Sequence, residues 1–110
     1  MNFYIGNSIS DINASDENIE FSDELIEFIY KLNTKSPFDM NKLCEINPYA
    51  DVEISKKDLS RIIDICNCIL RESALEDYEE PDEGTEMLLN LVQIAQKALK
   101  EEAGLVSVGD

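Results

Sequence analysis

A chain of 110 residues with a net charge of −15 and no histidine is constrained before any motif is sought. Its length suits one domain over 1–110 with one core. The negative balance opposes binding to nucleic acid or an anionic membrane, both of which need basic surface.

In chain order, "NFYIGNSI" is apolar with a turn signal at Gly6. It reads equally as a short strand or an ordered N-terminal arm, and Ser10 to Asn18 read as loop. "FSDELIEFIYKLN" is a helix. Ser22 is the N-cap, Asp23 and Glu24 suit the positive end of the dipole, and Phe21 and Ile26 stand where a hydrophobic staple forms. Leu25, Phe28, Ile29 and Leu32 form one buried stripe, with Glu27 and Lys31 an i,i+4 pair on the wet side. "SPFDMNKLCEINP" reads as a short helix, with Ser36 as N-cap, Pro37 at N1 and Asp39 at N3. Asn47-Pro48 stops it, and "YADVEI" is extended or turn-like.

"SKKDLSRIIDICNCILRES" is a third helix. Ser55 and Asp58 make a box-like start, and Leu59, Ile62, Ile63, Cys66 and Ile69/Leu70 form its apolar face. Ile65 and Cys68 widen that face, which makes this the central helix. After an acidic linker in which Pro81 and Gly84 read as turn residues, "EMLLNLVQIAQKALKEEAG" is the last helix, burying Leu88, Leu91, Val92, Ala95, Ala98 and Leu99. Lys97 and Lys100 suit its C-terminal end, and Gly104 is placed at C′. The tail "LVSVGD" is expected to fray. The predicted fold is therefore predominantly all-α: an irregular bundle of three firm helices and a short fourth, with the N-terminal strand or arm left open.

The charge is regional. Asp11 to Glu27 holds seven acids and no base, and Glu72 to Glu86 holds eight and no base. Those fifteen equal the whole excess; elsewhere nine acids face nine bases. No catalytic motif accompanies them. Without histidine there is no Cys-His or Ser-His arrangement, and no phosphate-binding glycine loop or GxSxG is present. Cys66 and Cys68 point about 200° apart on a helix, so they do not grip one metal ion, and with Cys44 they read as small core residues. "DYEEPDEGTEML" does not fit an EF-hand loop: starting from Asp77, Asp82 falls where the turn glycine belongs and Leu88 where the bidentate Glu belongs. The expectation is a non-enzyme without metal or cofactor. The absence of a basic-then-apolar leader, of a long apolar run and of an even cysteine count points to a cytoplasmic protein with free thiols.

Two base-free clusters suit a basic partner better than a merely solvated face. The candidate partner-binding residues are Asp77, Tyr78, Glu79, Glu80, Asp82 and Glu83 in the linker, with Asp16, Glu17, Glu20, Asp23 and Glu24 in the first cluster. Tyr30 and Tyr49 are further candidate anchors, since tyrosine is enriched at binding hot spots; otherwise they pack at the core edge.

The segments "YIGNSI", "DENIEFSDELIEFIYKL" and "INPYADVEISKKDLSRIIDICNCIL" resemble small bacterial immunity proteins. Such proteins accompany polymorphic toxins, as in contact-dependent growth-inhibition systems. The resemblance covers the first two thirds of the chain and rests on segment character, so it transfers no binding residue. It implies a cytoplasmic, non-enzymatic protein that binds and neutralises one cognate toxin domain, many of which are nucleases with basic grooves. The alternative is an acidic helical adaptor or nucleic-acid mimic that binds a basic host protein.

Overall fold

The computed structural model describes residues 1–109. It corrects the all-α expectation: a four-stranded antiparallel sheet packs with the helices. In chain order the elements are β1 (Asn2–Ile5), β2 (Asn18–Glu20), α1 (Asp23–Asn33), α2 (Asn41–Cys44), β3 (Val52–Ile54), α3 (Lys56–Arg71), α4 (Pro81–Lys100) and β4 (Leu105–Val108). Single 3₁₀ turns lie at Ile9–Asp11 and Ala74–Asp77.

The strand order is β2-β1-β4-β3. The tail expected to fray is thus a central strand, with Leu105, Val106 and Ser107 all buried; Asp110 lies outside the described residues. The open reading of the N-terminus resolves to a strand, and another, β2, begins at Asn18, where the predicted loop ends. β3 lies in the stretch read as extended or turn-like, whereas β2 and β4 escaped the sequence reading, because each has only three or four residues, too few to show alternation.

In the register, Phe3 pairs with Ile19 and Ser107, and Leu105 with Ile5 and Ile54, so one face of the sheet joins the core. The other face carries Tyr4, Val106 and Glu53. The connection between β1 and β2 reaches across it, and Ile9 N–H donates to Glu53 Oε2 at 2.9 Å.

α4 lies on β1 and β2, α3 packs beside α4, and α2 bridges α3 to α1. The predicted cap of α1 holds: Ser22 Oγ accepts from Leu25 N–H at 3.2 Å, with Phe21 and Ile26 buried on either side. In α3 the buried side chains are Leu59, Ile62, Ile65, Cys66, Cys68 and Ile69; Ile63 is only half-buried. Each fully buried aliphatic chain stabilises the fold by roughly 1.5–3 kcal/mol. α2 is shorter than expected because its predicted caps serve turns: Ser36 Oγ accepts from Phe38 N–H, and Asp39 Oδ1 from Asn41 N–H.

α4 is longer than expected. Pro81 occupies its first position, with Asp82 and Glu83 in the first turn, so most of the predicted linker is a 3₁₀ turn followed by helix. Gly84 does not make a turn; a Cβ there would press on Tyr78 Cδ2 at 3.1 Å and Leu75 Cδ1 at 3.2 Å. At the other end Gly104 is not the C′ residue. Glu102 takes that place at φ 58°, with Ala103 N–H donating to Ala98 O at 2.9 Å and Glu102 N–H to Leu99 O at 3.1 Å. Gly104 is needed two residues later, where a Cβ would overlap the Ile54 carbonyl oxygen.

Two substitutions separate these roles. Glu102→Gly relieves a left-handed side chain and removes a negative charge from the helix C-terminus, so it is expected to stabilise by about 0.5–1 kcal/mol in urea unfolding. Gly104→Ala is expected to destabilise by about 2–4 kcal/mol, because the obstacle is backbone. Equal effects from the two would contradict this assignment.

Candidate functional site

The two acid-rich segments, some fifty residues apart in the chain, meet at one place. β2 ends at Glu20, Ser22 caps α1, and the first turns of α4 lie alongside. Ser22 N–H donates to Met87 Sδ at 3.3 Å, and its hydroxyl is 3.5 Å from the Tyr78 hydroxyl. Glu20, Ser22, Glu83, Glu86, Met87 and Asn90 line a shallow groove of about 370 Å³ there. One carboxylate comes from the first segment and two from the second, and no base lines the groove.

The segments differ in how much of their charge is committed. In the first, Asp11 Oδ2 accepts from Asn7 and Ser8 N–H groups, and Asp16 Oδ2 from Asn13 N–H at 2.8 Å. Glu17 receives Lys97 Nζ at 2.9 and 3.0 Å, which raises the lysine's pKa. Asp23 stands 3.9 Å from the Met1 amino group. Among the described residues Glu20, Glu24 and Glu27 have no such partner. The expected Glu27–Lys31 pair is not formed. In the second segment none of the eight carboxylates enters an ion pair among the described residues.

The predicted set is therefore partly assembled. Glu20 and Glu83 share the groove, whereas Glu24, Asp77, Glu79, Glu80 and Asp82 are exposed outside it. Asp16, Glu17 and Asp23 have structural partners. Tyr78 is half-buried behind Ser22 rather than lining the groove, its ring 5.1 Å from that of Phe28. Part of the acidity has a local use, since Asp82 and Glu83 complement the α4 dipole by about 0.3–1 kcal/mol each at low salt. The predicted set omitted Glu86, although Glu83 and Glu86 fall one turn apart once the helix is started at Pro81, its favoured first position.

The three cysteines are free. Burial pushes the Cys66 thiol up to about 12, and burial with the nearby Asp39 charge pushes Cys44 up to about 11. No group of three or more His, Cys, Asp or Glu side chains is arranged for a metal among the described residues. No helix there is long and apolar enough to cross a membrane.

No family model matches the sequence, and no solved structure matches it. Among curated proteins it is similar to degenerin mec-10 of Caenorhabditis briggsae, 29% identical over 83 residues. The match covers 74% of this chain and 11% of that protein, so the chain spans only a small part of the relative's length. A similarity of that extent assigns no family.

The uncompensated carboxylates make stability sensitive to salt. Raising ionic strength from about 0.01 to 0.15 M shortens the screening length from about 30 to 8 Å. The melting temperature is expected to rise over that range, and to rise less in Glu83→Gln/Glu86→Gln; a fall would contradict net repulsion at the groove. The thiols yield a second expectation. A thiol whose folded pKa is raised contributes stability that is complete below its ordinary value of 9.0 and is lost as pH rises toward the folded value. Unfolding free energy should therefore decline with pH above about 9, less steeply in Cys66→Ala, as chemical denaturation at stepped pH would show.

Proposed function

We propose that the protein is an immunity protein. It binds a cognate bacterial toxin domain bearing a basic groove, most simply a nuclease, and neutralises it by occupying that groove. The observation that carries this reading is the convergence of Glu20 with Glu83 and Glu86 on a base-free groove. These carboxylates present negative charge where a nuclease would otherwise receive phosphates, and the family resemblance supplies the class of partner. Free thiols at Cys44, Cys66 and Cys68 suit a reducing cytoplasm, which is where we place its action. The protein acts by binding and does no chemistry of its own.

Cationic partners are drawn to such a surface quickly, at on-rates up to about 10⁸–10⁹ M⁻¹s⁻¹ at low salt. Co-expression with the toxin domain encoded immediately upstream is expected to restore growth and yield a complex on gel filtration. Persistent arrest without a complex overturns the reading. In Glu20→Gln/Glu83→Gln/Glu86→Gln the association rate is expected to drop about tenfold at low salt and its salt dependence to flatten. Stopped-flow rates equal to those of the parent chain would remove this groove from the interface.

A further inference from the structure

A second groove lies on the other side of the α1 N-terminus, where Asp23 rather than Ser22 forms the wall. Its floor and walls include Ile26 and Ile46, its rim carries Tyr30 and Tyr49, and Glu27 and Glu45 stand beside them; its volume is about 280 Å³. Exposed aromatic surface is scarce on this molecule. Among the described residues four large apolar side chains are exposed, and two of them, Tyr30 at 61% and Tyr49 at 70%, line this one groove. From the sequence both were either candidate anchors or core-edge residues, and neither is buried.

We propose that the Tyr30–Tyr49 groove is a docking site for an arginine-bearing segment of a basic protein partner. Charge complementarity selects this occupant. No base lines the groove, and Glu27 has no ion-pair partner among the described residues. Glu45 is held by Lys42 at 3.4 Å, but Lys42 is shared with Asp58 at 3.6 Å. Tyrosine faces attract a guanidinium, and a planar guanidinium also stacks and donates to a carboxylate such as Glu27. The apolar floor takes the methylene stem, as long basic side chains require. A phosphate or lipid headgroup would meet carboxylates here and is disfavoured. The inference rests on the reading above only in taking the partner to be a basic protein.

The test needs no toxin. Whole-chain NMR titration at low salt uses the peptide Gly-Arg-Gly-Arg-Gly, with citrulline in place of arginine as the neutral control. Saturable shifts on the Tyr30 and Tyr49 rings are expected with arginine and not with citrulline. Tyr30→Ala and Tyr49→Ala should each weaken binding at least fivefold, while Tyr30→Phe keeps it, because the ring face is retained. Both positions are exposed, so the variants are expected to fold. Shifts spread evenly over all carboxylates, shifts confined to the Glu20–Glu83–Glu86 groove, an equal response to citrulline, or no response overturn the proposal. Where a neutralised toxin is in hand, an unchanged dissociation constant in Tyr30→Ala/Tyr49→Ala overturns it while leaving the immunity reading intact. Failed neutralisation with a positive peptide titration does the reverse.

Discussion

The short strand Leu105–Val108 holds the sheet together by lying between β1 and β3. Strands of three or four residues do not persist as isolated pairs in water, so the β1–β2 pair and the Val52–Ile54 segment depend on this one to join them into a sheet. Its arrival is sterically demanding. The chain leaves α4 through Glu102 in a left-handed conformation and then passes so close to the Ile54 carbonyl that only glycine fits at position 104. Gly104 also accepts from Gly6 N–H at 3.0 Å and donates to Asn7 Oδ1 at 3.0 Å, which locks the end of β1 to the same crossing.

The same arrangement sorts the charge. With α4 lying on β1 and β2, its basic end reaches Glu17 and its acidic end reaches Glu20. One carboxylate of β2's neighbourhood is therefore neutralised and the other is left beside Glu83 and Glu86. Like charges near one another cost stability at modest salt, a cost that any cation bound beside them would relieve. The Ser22 turn, which caps α1, separates this groove from the one rimmed by Tyr30 and Tyr49, so both surfaces are positioned by a single helix start.

The helices were legible because each carries a periodic apolar stripe and local end signals. Leu25 and Ile29 on α1, and Leu88, Leu91, Val92, Ala95 and Ala98 on α4, are buried where periodicity placed them, while Phe28, Leu32 and Leu99 of the same stripes are half-buried. The acidic stretch misled for a local reason: Pro81 and Gly84 read as turn residues, whereas here they begin a helix and admit the Tyr78 ring. Two cysteines on α3 and the core leucines and isoleucines fell where an apolar face predicts. Glu86 was not singled out as a site residue, and Tyr30 and Tyr49 were candidate anchors whose exposure stayed open, since nothing local distinguishes an exposed tyrosine on a helix or turn from one at the core edge.

By itself the sequence determined the apolar faces of the long helices, the Ser22 cap of α1 and the confinement of excess charge to two segments, because each depends on residues close to one another in the chain. Only the tertiary structure decided that four short segments form a sheet with the C-terminal one inside it. Only that structure brought Glu20 to Glu83 and Glu86, and Tyr30 to Tyr49. Strand pairing and groove formation join residues tens of positions apart, and no local period records which distant segment will meet which.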